Sequence, residues 1–234
     1  MPIPLPELRS IRDFMAFEAH VRAARARRGL DMAPEWYESP TFYFSTLRTF
    51  VPHDGEVRRP ASTRKLDFEL ELAVVIGRPG VNIAAADAEA HIAGVVIYND
   101  WSARDVQRRE MAIGLGPSKA KDFANSLGPM LVPLNELTER REGPGRWNLE
   151  MVARINDVEI SRGNARDMQW SFADLIEHAS RDCPLDVGDV LGSGTVGTGC
   201  ILELGTEVHR WLEPGDVVEL EVELLGTLRN RIVE

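Results

Sequence analysis

The segment Leu66-Asp67-Phe68-Glu69-Leu70-Glu71-Leu72-Ala73 constrains the fold of this chain most, because apolar and acidic residues alternate along it. A period of two belongs to an extended strand, so Leu66, Phe68, Leu70 and Leu72 face one side and Asp67, Glu69 and Glu71 the other. From here to the C-terminus the pattern remains one of alternation, or of continuous apolar runs broken by turns. Leu66 to Ile76, Ile92 to Tyr98, Leu149 to Ile155, Asp189 to Leu191 and Val217 to Leu225 all read as strands, with Asn156-Asp157 and Pro214-Gly215-Asp216 as turn signals. Met168 to Arg181 is the clearest helix of this part, and Arg140 to Gly145 its one linker-like stretch. The body is β-rich.

Upstream the period changes. Leu8, Ile11, Phe14, Phe17 and Val21 recur at threes and fours, and an arginine-rich end precedes Gly29, so the spacing predicts an amphipathic helix over Leu8 to Arg28, with room for one break. Pro34 to Pro60 is rich in proline and aromatics and reads as packed loop with one short strand. The expected organisation is a helical and loop segment over residues 1–60, a lid or adaptor, joined to a β-rich body over 61–234. With 234 residues and 44% hydrophobic content, one main domain accounts for the chain.

A formal charge of −10 and a pI near 5.1 exclude nucleic acid and anionic membrane surfaces as natural partners, since most of the surface would repel them. A small acidic substrate then needs a local cationic pocket or a bound metal. Cys183 and Cys200 stand in no metal-ligand or redox spacing, which suits a reducing compartment. Met1 to Ser10 carries three prolines and no apolar leader pattern, and no apolar run is long enough to span a bilayer, so the expected location is the cytoplasm.

Two segments carry chemistry. At a rise of about 3.3 Å per residue, Glu69 and Glu71 lie roughly 6.6 Å apart on one face, close enough to converge on a hard cation that takes oxygen ligands. Acidic residues on the wet face of a half-buried strand are also ordinary. Asp100 sits where the strand from Ile92 ends. If Ser102 caps the helix that follows, Arg104 and Gln107 share a face and point a cation and an amide at one ligand; the plain alternative is a surface ion pair of Arg104 with Asp100 or Asp105. Gly192-Ser193-Gly194-Thr195-Val196-Gly197 is a literal G-x-G-x-x-G, but more glycine and then strand follow it, not a helix able to receive a dinucleotide phosphate, and a nucleotide site is rejected.

His91-Ile92-Ala93-Gly94, Asn99-Asp100-Trp101-Ser102-Ala103-Arg104-Asp105-Val106-Gln107, and Leu115-Gly116-Pro117 through Lys121-Asp122-Phe123 resemble the fumarylacetoacetate hydrolase family, and Phe68 to Ala73 resembles its paired-glutamate motif. The similarity is dense from Leu66 to Pro133. It implies an α+β fold built on a mixed β-roll, with residues 61–234 as catalytic domain behind a helical N-terminal segment, and a homodimer. It also implies Mg²⁺, with Mn²⁺ or Ca²⁺ as substitutes, on Glu69, Glu71 and Asp100, with Asp13 on or near the ion. Arg104, Gln107 and Lys121 would face the substrate and its developing charge, while Tyr43 and Thr195 would touch it. His20, seven residues from Asp13 and on the same side of the expected helix, would be the general base, oriented by Glu203.

The activity so implied is metal-dependent hydrolysis of a carbon–carbon bond in a small 1,3-dioxo acid. Decarboxylation of a 3-oxo acid of the oxaloacetate type, and isomerisation or hydration of a 2-oxo-alkenoate in aromatic catabolism, use the same enolate. A degenerate module that only binds metal and dicarboxylate is the non-enzymatic alternative. Met15 and Met111 stand where fumarylacetoacetate-cleaving enzymes have tyrosines that touch the ligand, so substrate specificity is not carried over.

Overall fold

The computed structural model describes residues 3–234. Its strands are β1 (Ser10–Phe14), β2 (Phe42–Ser45), β3 (Glu56–Arg58), β4 (Leu66–Asp67), β5 (Glu71–Ile76), β6 (Ile92–Asp100), β7 (Ser102–Ala103), β8 (Asn125–Leu127), β9 (Arg141–Gly143), β10 (Arg146–Trp147), β11 (Glu150–Ile155), β12 (Val158–Asn164), β13 (Asp189–Gly192), β14 (Val217–Val222) and β15 (Gly226–Val233). The helices are α1 (Glu18–Ala26), α2 (Arg104–Ile113), α3 (Phe172–Ser180) and α4 (Ile201–Leu204). Two sheets carry the α+β architecture: a six-stranded one in the order β2-β1-β13-β5-β6-β8, and a five-stranded one in the order β12-β11-β14-β15-β3. Only β1 with β13 and β15 with β3 run parallel.

The continuous apolar runs of β5 and β6 place them inside the six-stranded sheet, covered on both faces. Leu72, Val74, Ile76, Val95 and Ile97 join the main core on one face, and Ala73, Val75, Val96 and Tyr98 a smaller one on the other. At about 25 cal/mol per Å² of apolar surface removed from water, burial on both faces stabilises this sheet. The helix α3 begins at a capping box, in which Ser171 and Asp174 each satisfy the other's backbone amide, so it is shorter than Met168 to Arg181. No helix among the described residues is long and apolar enough to cross a membrane.

Four expectations are corrected. Leu8 to Arg28 is not one helix: β1 comes first, paired to both β13 and β2, and α1 follows. The three-residue step from Ile11 to Phe14 mimics a helical face, but in a strand it reports opposite faces, and Ile11 packs in the smaller core while Phe14 packs in the main one. Leu66 to Ile76 is not one strand either, since β4 pairs with β7 and the chain leaves strand pairing at Phe68 to Leu70 before β5 begins. Ser102 lies in β7, and α2 starts after Ala103 without a side-chain cap. Arg140 to Gly145 is not a linker: Arg140 ends a 3-10 helix, and Arg141 to Gly145 forms one arm and the turn of the β9-β10 hairpin.

Candidate active site

Four carboxylates meet at one end of the six-stranded sheet. Asp13 comes from β1, Glu71 from the start of β5, Asp100 from the end of β6, and Glu69 from the stretch before β5, where its amide donates to Asn99 Oδ1 at 3.0 Å. Asp13, Glu69 and Asp100 each offer an oxygen within 4.8 Å of the others. Far from lying on a wet face, Asp13, Glu69, Glu71 and Asp100 are between 0 and 4% exposed. The neighbouring loop makes room for them. A Cβ on Gly192 would stand 2.5 Å from Asp13 Oδ1, and one on Gly194, whose φ is +79°, would stand 2.3 Å from the Phe14 carbonyl. That turn aims the Gly194 amide at Glu71 Oε2, 3.0 Å away, and leaves Thr195 Oγ1 3.5 Å from Glu71 Oε1.

Two buried cations answer the carboxylates. Lys121 Nζ lies 2.5 Å from Glu69 Oε2 and 2.6 Å from Asp100 Oδ2. Arg104 donates through Nη2 to Glu69 Oε1 at 2.8 Å, through Nε to Asp67 Oδ2 at 2.8 Å, and through Nη1 to the Gln107 amide oxygen at 3.0 Å. The Tyr43 hydroxyl stands between Asp13 Oδ2, at 2.6 Å, and Asp100 Oδ2.

This balance divides the carboxyls. Burial and the charge of Asp100 push Asp13 well above the carboxylate range, and burial with the charges of Asp13 and Glu69 does the same to Glu71. Burial also raises Asp100, against the pull of Lys121. Glu69 goes the other way: burial opposes its charge, but Lys121 and Arg104 outweigh it and hold the carboxyl below its ordinary value. Asp13 Oδ1 and Asp100 Oδ1 are buried without any hydrogen-bond partner. Orphaned carboxylate oxygens and too few cations are what a hard divalent ion with oxygen ligands would relieve, so the residues fit such an ion.

A second group adjoins the first. His20, on α1, contacts Glu203 Oε1 through Nδ1, and Glu203 Oε2 accepts the Thr198 amide at 2.9 Å. The pair lies close enough to the cluster for the imidazole and Glu69 to interact electrostatically. The structure thus brings Asp13, His20, Tyr43, Glu69, Glu71, Asp100, Arg104, Lys121, Thr195 and Glu203 to one end of the sheet, with half-buried Gln107 reaching them through Arg104. It adds Asp67, a buried carboxylate that the reading of the sequence left aside although it shares the alternation of Glu69 and Glu71. A cavity of about 240 Å³ opens against Tyr43 and Lys121, walled by Phe44, Ser45, Thr46 and Pro117 and not by Met15 or Met111.

Comparison with known proteins gives the family and the fold. A family described as fumarylacetoacetate (FAA) hydrolase C-terminal matches residues 9–233. Oxaloacetate tautomerase YisK of Bacillus subtilis is 37% identical over 83% of this chain and 62% of its own length. The human mitochondrial oxaloacetate tautomerase FAHD2A is 36% identical over 84% of this chain and 60% of its own. The chain therefore spans about three fifths of these curated relatives. Among solved structures, a 5-carboxymethyl-2-hydroxymuconate delta-isomerase from Mycobacterium smegmatis superposes with a TM-score of 0.75 at 28% identity, covering 97% of this chain and 77% of that one. The fumarylpyruvate hydrolase of Pseudomonas aeruginosa, in complex with Mn²⁺ and pyruvate, shares the fold at a TM-score of 0.78 and 22% identity, covering 100% and 95%.

Proposed function

We propose that this chain, which belongs to the fumarylacetoacetate hydrolase family, is a divalent-metal-dependent enzyme that cleaves a carbon–carbon bond in a small 1,3-dioxo acid with water. The observation that carries this reading is the His20–Glu203 pair beside a buried carboxylate cluster with orphaned oxygens. Asp13, Glu69, Glu71 and Asp100 would hold the ion, Mg²⁺ in the first instance. When bound, such an ion supplies Lewis-acid polarisation of chelated oxo groups.

The side chains do the rest. With Nδ1–H donated to Glu203, the imidazole of His20 keeps Nε2 free to take a proton from water. Arg104 and Lys121 hold fixed positive charge where an enolate would develop, and Lys121 is the proton donor to its carbon. Tyr43, Thr195 and Gln107 would hold the substrate's oxygens. Within the N-terminal segment, β1 and α1 carry Asp13 and His20 to the cluster, β1 as a strand of the six-stranded sheet and not as part of a separate lid. The working form is a homodimer in the cytoplasm.

A second reading, keto–enol tautomerisation of oxaloacetate, is favoured by the two curated relatives above. It uses the same His20, which would take a proton from the carbon between the ketone and the carboxylate and return one to the ketone oxygen, with no water consumed. Decarboxylation of the same acid would instead release CO2 from the keto form, the electrons of the broken carbon–carbon bond becoming the enolate of the 2-oxo acid product, and isomerisation as in the mycobacterial neighbour would move a proton through an enolate of its own substrate.

One assay separates these outcomes. Acylpyruvates, fumarylpyruvate and oxaloacetate are offered with Mg²⁺ or after chelation, following enol absorbance and analysing products. Hydrolysis yields an acid and a ketone or 2-oxo acid only with the metal present, and His20→Ala lowers kcat by about 10²–10⁴-fold. A shift of enol absorbance without new products identifies the tautomerase. Undiminished turnover after chelation sinks the metal-dependent reading.

A further inference from the structure

Asp67 has no part in the reaction above, yet it touches both halves of the site. Its side chain is fully buried. Oδ1 accepts the amides of Ile201 at 2.8 Å and Phe68 at 2.9 Å; Oδ2 accepts the amide of Leu202 at 3.0 Å and Arg104 Nε at 2.8 Å. Four donors fill the lone-pair sites of one carboxylate.

What those donors belong to matters more than their number. Ile201 and Leu202 supply the first amides of α4, groups that a helix leaves without internal partners, and α4 is only four residues long. So short a helix does not persist by its own hydrogen bonds. Glu203 follows directly, and its carboxylate in turn sets the ring of His20. On the other side, the guanidinium that Asp67 fixes through Nε reaches Glu69 and Gln107 with its remaining nitrogens.

We infer that Asp67 is a positioning residue that fixes the His20–Glu203 base relative to Arg104 and the Glu69 side of the cluster, an inference that rests on the reading of His20 as the base. One carboxylate bonded to both arms prevents them from drifting independently. An error of about 1 Å in such an arrangement costs on the order of 10²-fold in rate. Asp67→Asn keeps the shape but turns one acceptor into a donor, which then faces either the α4 amides or the guanidinium.

The test is a cycle of Asp67→Asn, Glu203→Gln and the double variant in the Mg²⁺-loaded protein, with far-UV circular dichroism to establish folding. Asp67→Asn is expected to lower kcat on the order of 10²-fold with a smaller change in KM. The double variant should lose no more than about the larger single loss, because both act through one unit. Losses that multiply overturn the inference.

A second readout needs no substrate. The proton shared by His20 and Glu203 should give a low-field resonance in the wild-type protein that Asp67→Asn removes; its persistence counts against Asp67. Should Asp67→Asn fail to fold, amide exchange on the wild-type protein decides, with Ile201 and Leu202 as protected as the amides of β5 if the inference holds, and exchanging like exposed loop if it does not. Full activity in both His20→Ala and Glu203→Gln would strike the base assignment itself, which is a different failure.

Discussion

Two stretches of this chain alternate acidic and apolar residues and put them to opposite uses. In Val217 to Val222, on the five-stranded sheet, Val218, Leu220 and Val222 are buried while Glu219 and Glu221 look outward and pair with Arg229 and Arg154 at a half-exposed surface. In Leu66 to Leu72 the same alternation delivers Asp67, Glu69 and Glu71 into the interior, against Arg104, Lys121 and the orphaned oxygens of Asp13 and Asp100. Alternation reports that two sets of side chains face opposite ways. It does not report what covers either set. The Glu221 side chain stays about half exposed, whereas β1, α1 and the loop before α4 close over Glu69 and Glu71.

The difference has a measurable size, and the largest part of it sits at Lys121. Lys121→Met leaves Glu69 and Asp100 without the ammonium between them, and in metal-free protein it should cost about 3–5 kcal/mol in denaturant unfolding, with saturating Mg²⁺ restoring part of the loss. An unchanged midpoint would mean that water reaches this cluster as freely as it reaches β14.

A smaller effect should appear with pH. Asp13, Glu71 and Asp100 have folded pKa values raised above their unfolded ones, so the folded protein holds protons that the unfolded chain has released. The contribution of these three groups to the stability of the metal-free protein is then fully present below the ordinary carboxylate range and is lost as pH rises above it, by up to about 1.4 kcal/mol per pH unit for each such group. Glu69, held low, opposes this only at the acid end. Thermal melts from pH 4 to 8 should slope downward without metal and flatten with Mg²⁺; equal slopes would contradict a cation at these oxygens. The smallest effect is reserved for the outer sheet, where Arg154→Met should change stability by less than about 1 kcal/mol, and less still in high salt. A larger loss would erase the contrast.

Much of this was legible in the residues, and what was not has identifiable causes. Strands such as Glu150–Ile155 and Val217–Val222 announce themselves because one face is wet. β1 does not: four of its five residues are buried between two neighbours, so no alternation survives, and Ile11 with Phe14 passes for a helical step. Asp13 was therefore expected on a helix with His20, where the chain in fact carries the two on a strand and a following helix that meet at the same end of the sheet. Glu69, Glu71, Asp100, Arg104 and Lys121 could be proposed because their motif is long and local. Asp67 lay in that same motif and escaped because its partners, Ile201 and Leu202, are remote in sequence and bind with backbone amides, which leave no trace in residue type.

The missing side chain of Gly192 has a bearing on how such a chain can diverge. Every missense change in a glycine codon writes a Cβ at this position, and even the methyl of alanine would stand 2.5 Å from Asp13 Oδ1 and 3.0 Å from the Tyr98 ring. The walls of the cavity, Phe44, Ser45 and Thr46 among them, can be exchanged one at a time to suit another substrate. Position 192 offers no such first step, so mutational routes to new specificity run around it and leave the carboxylate of Asp13 where it is.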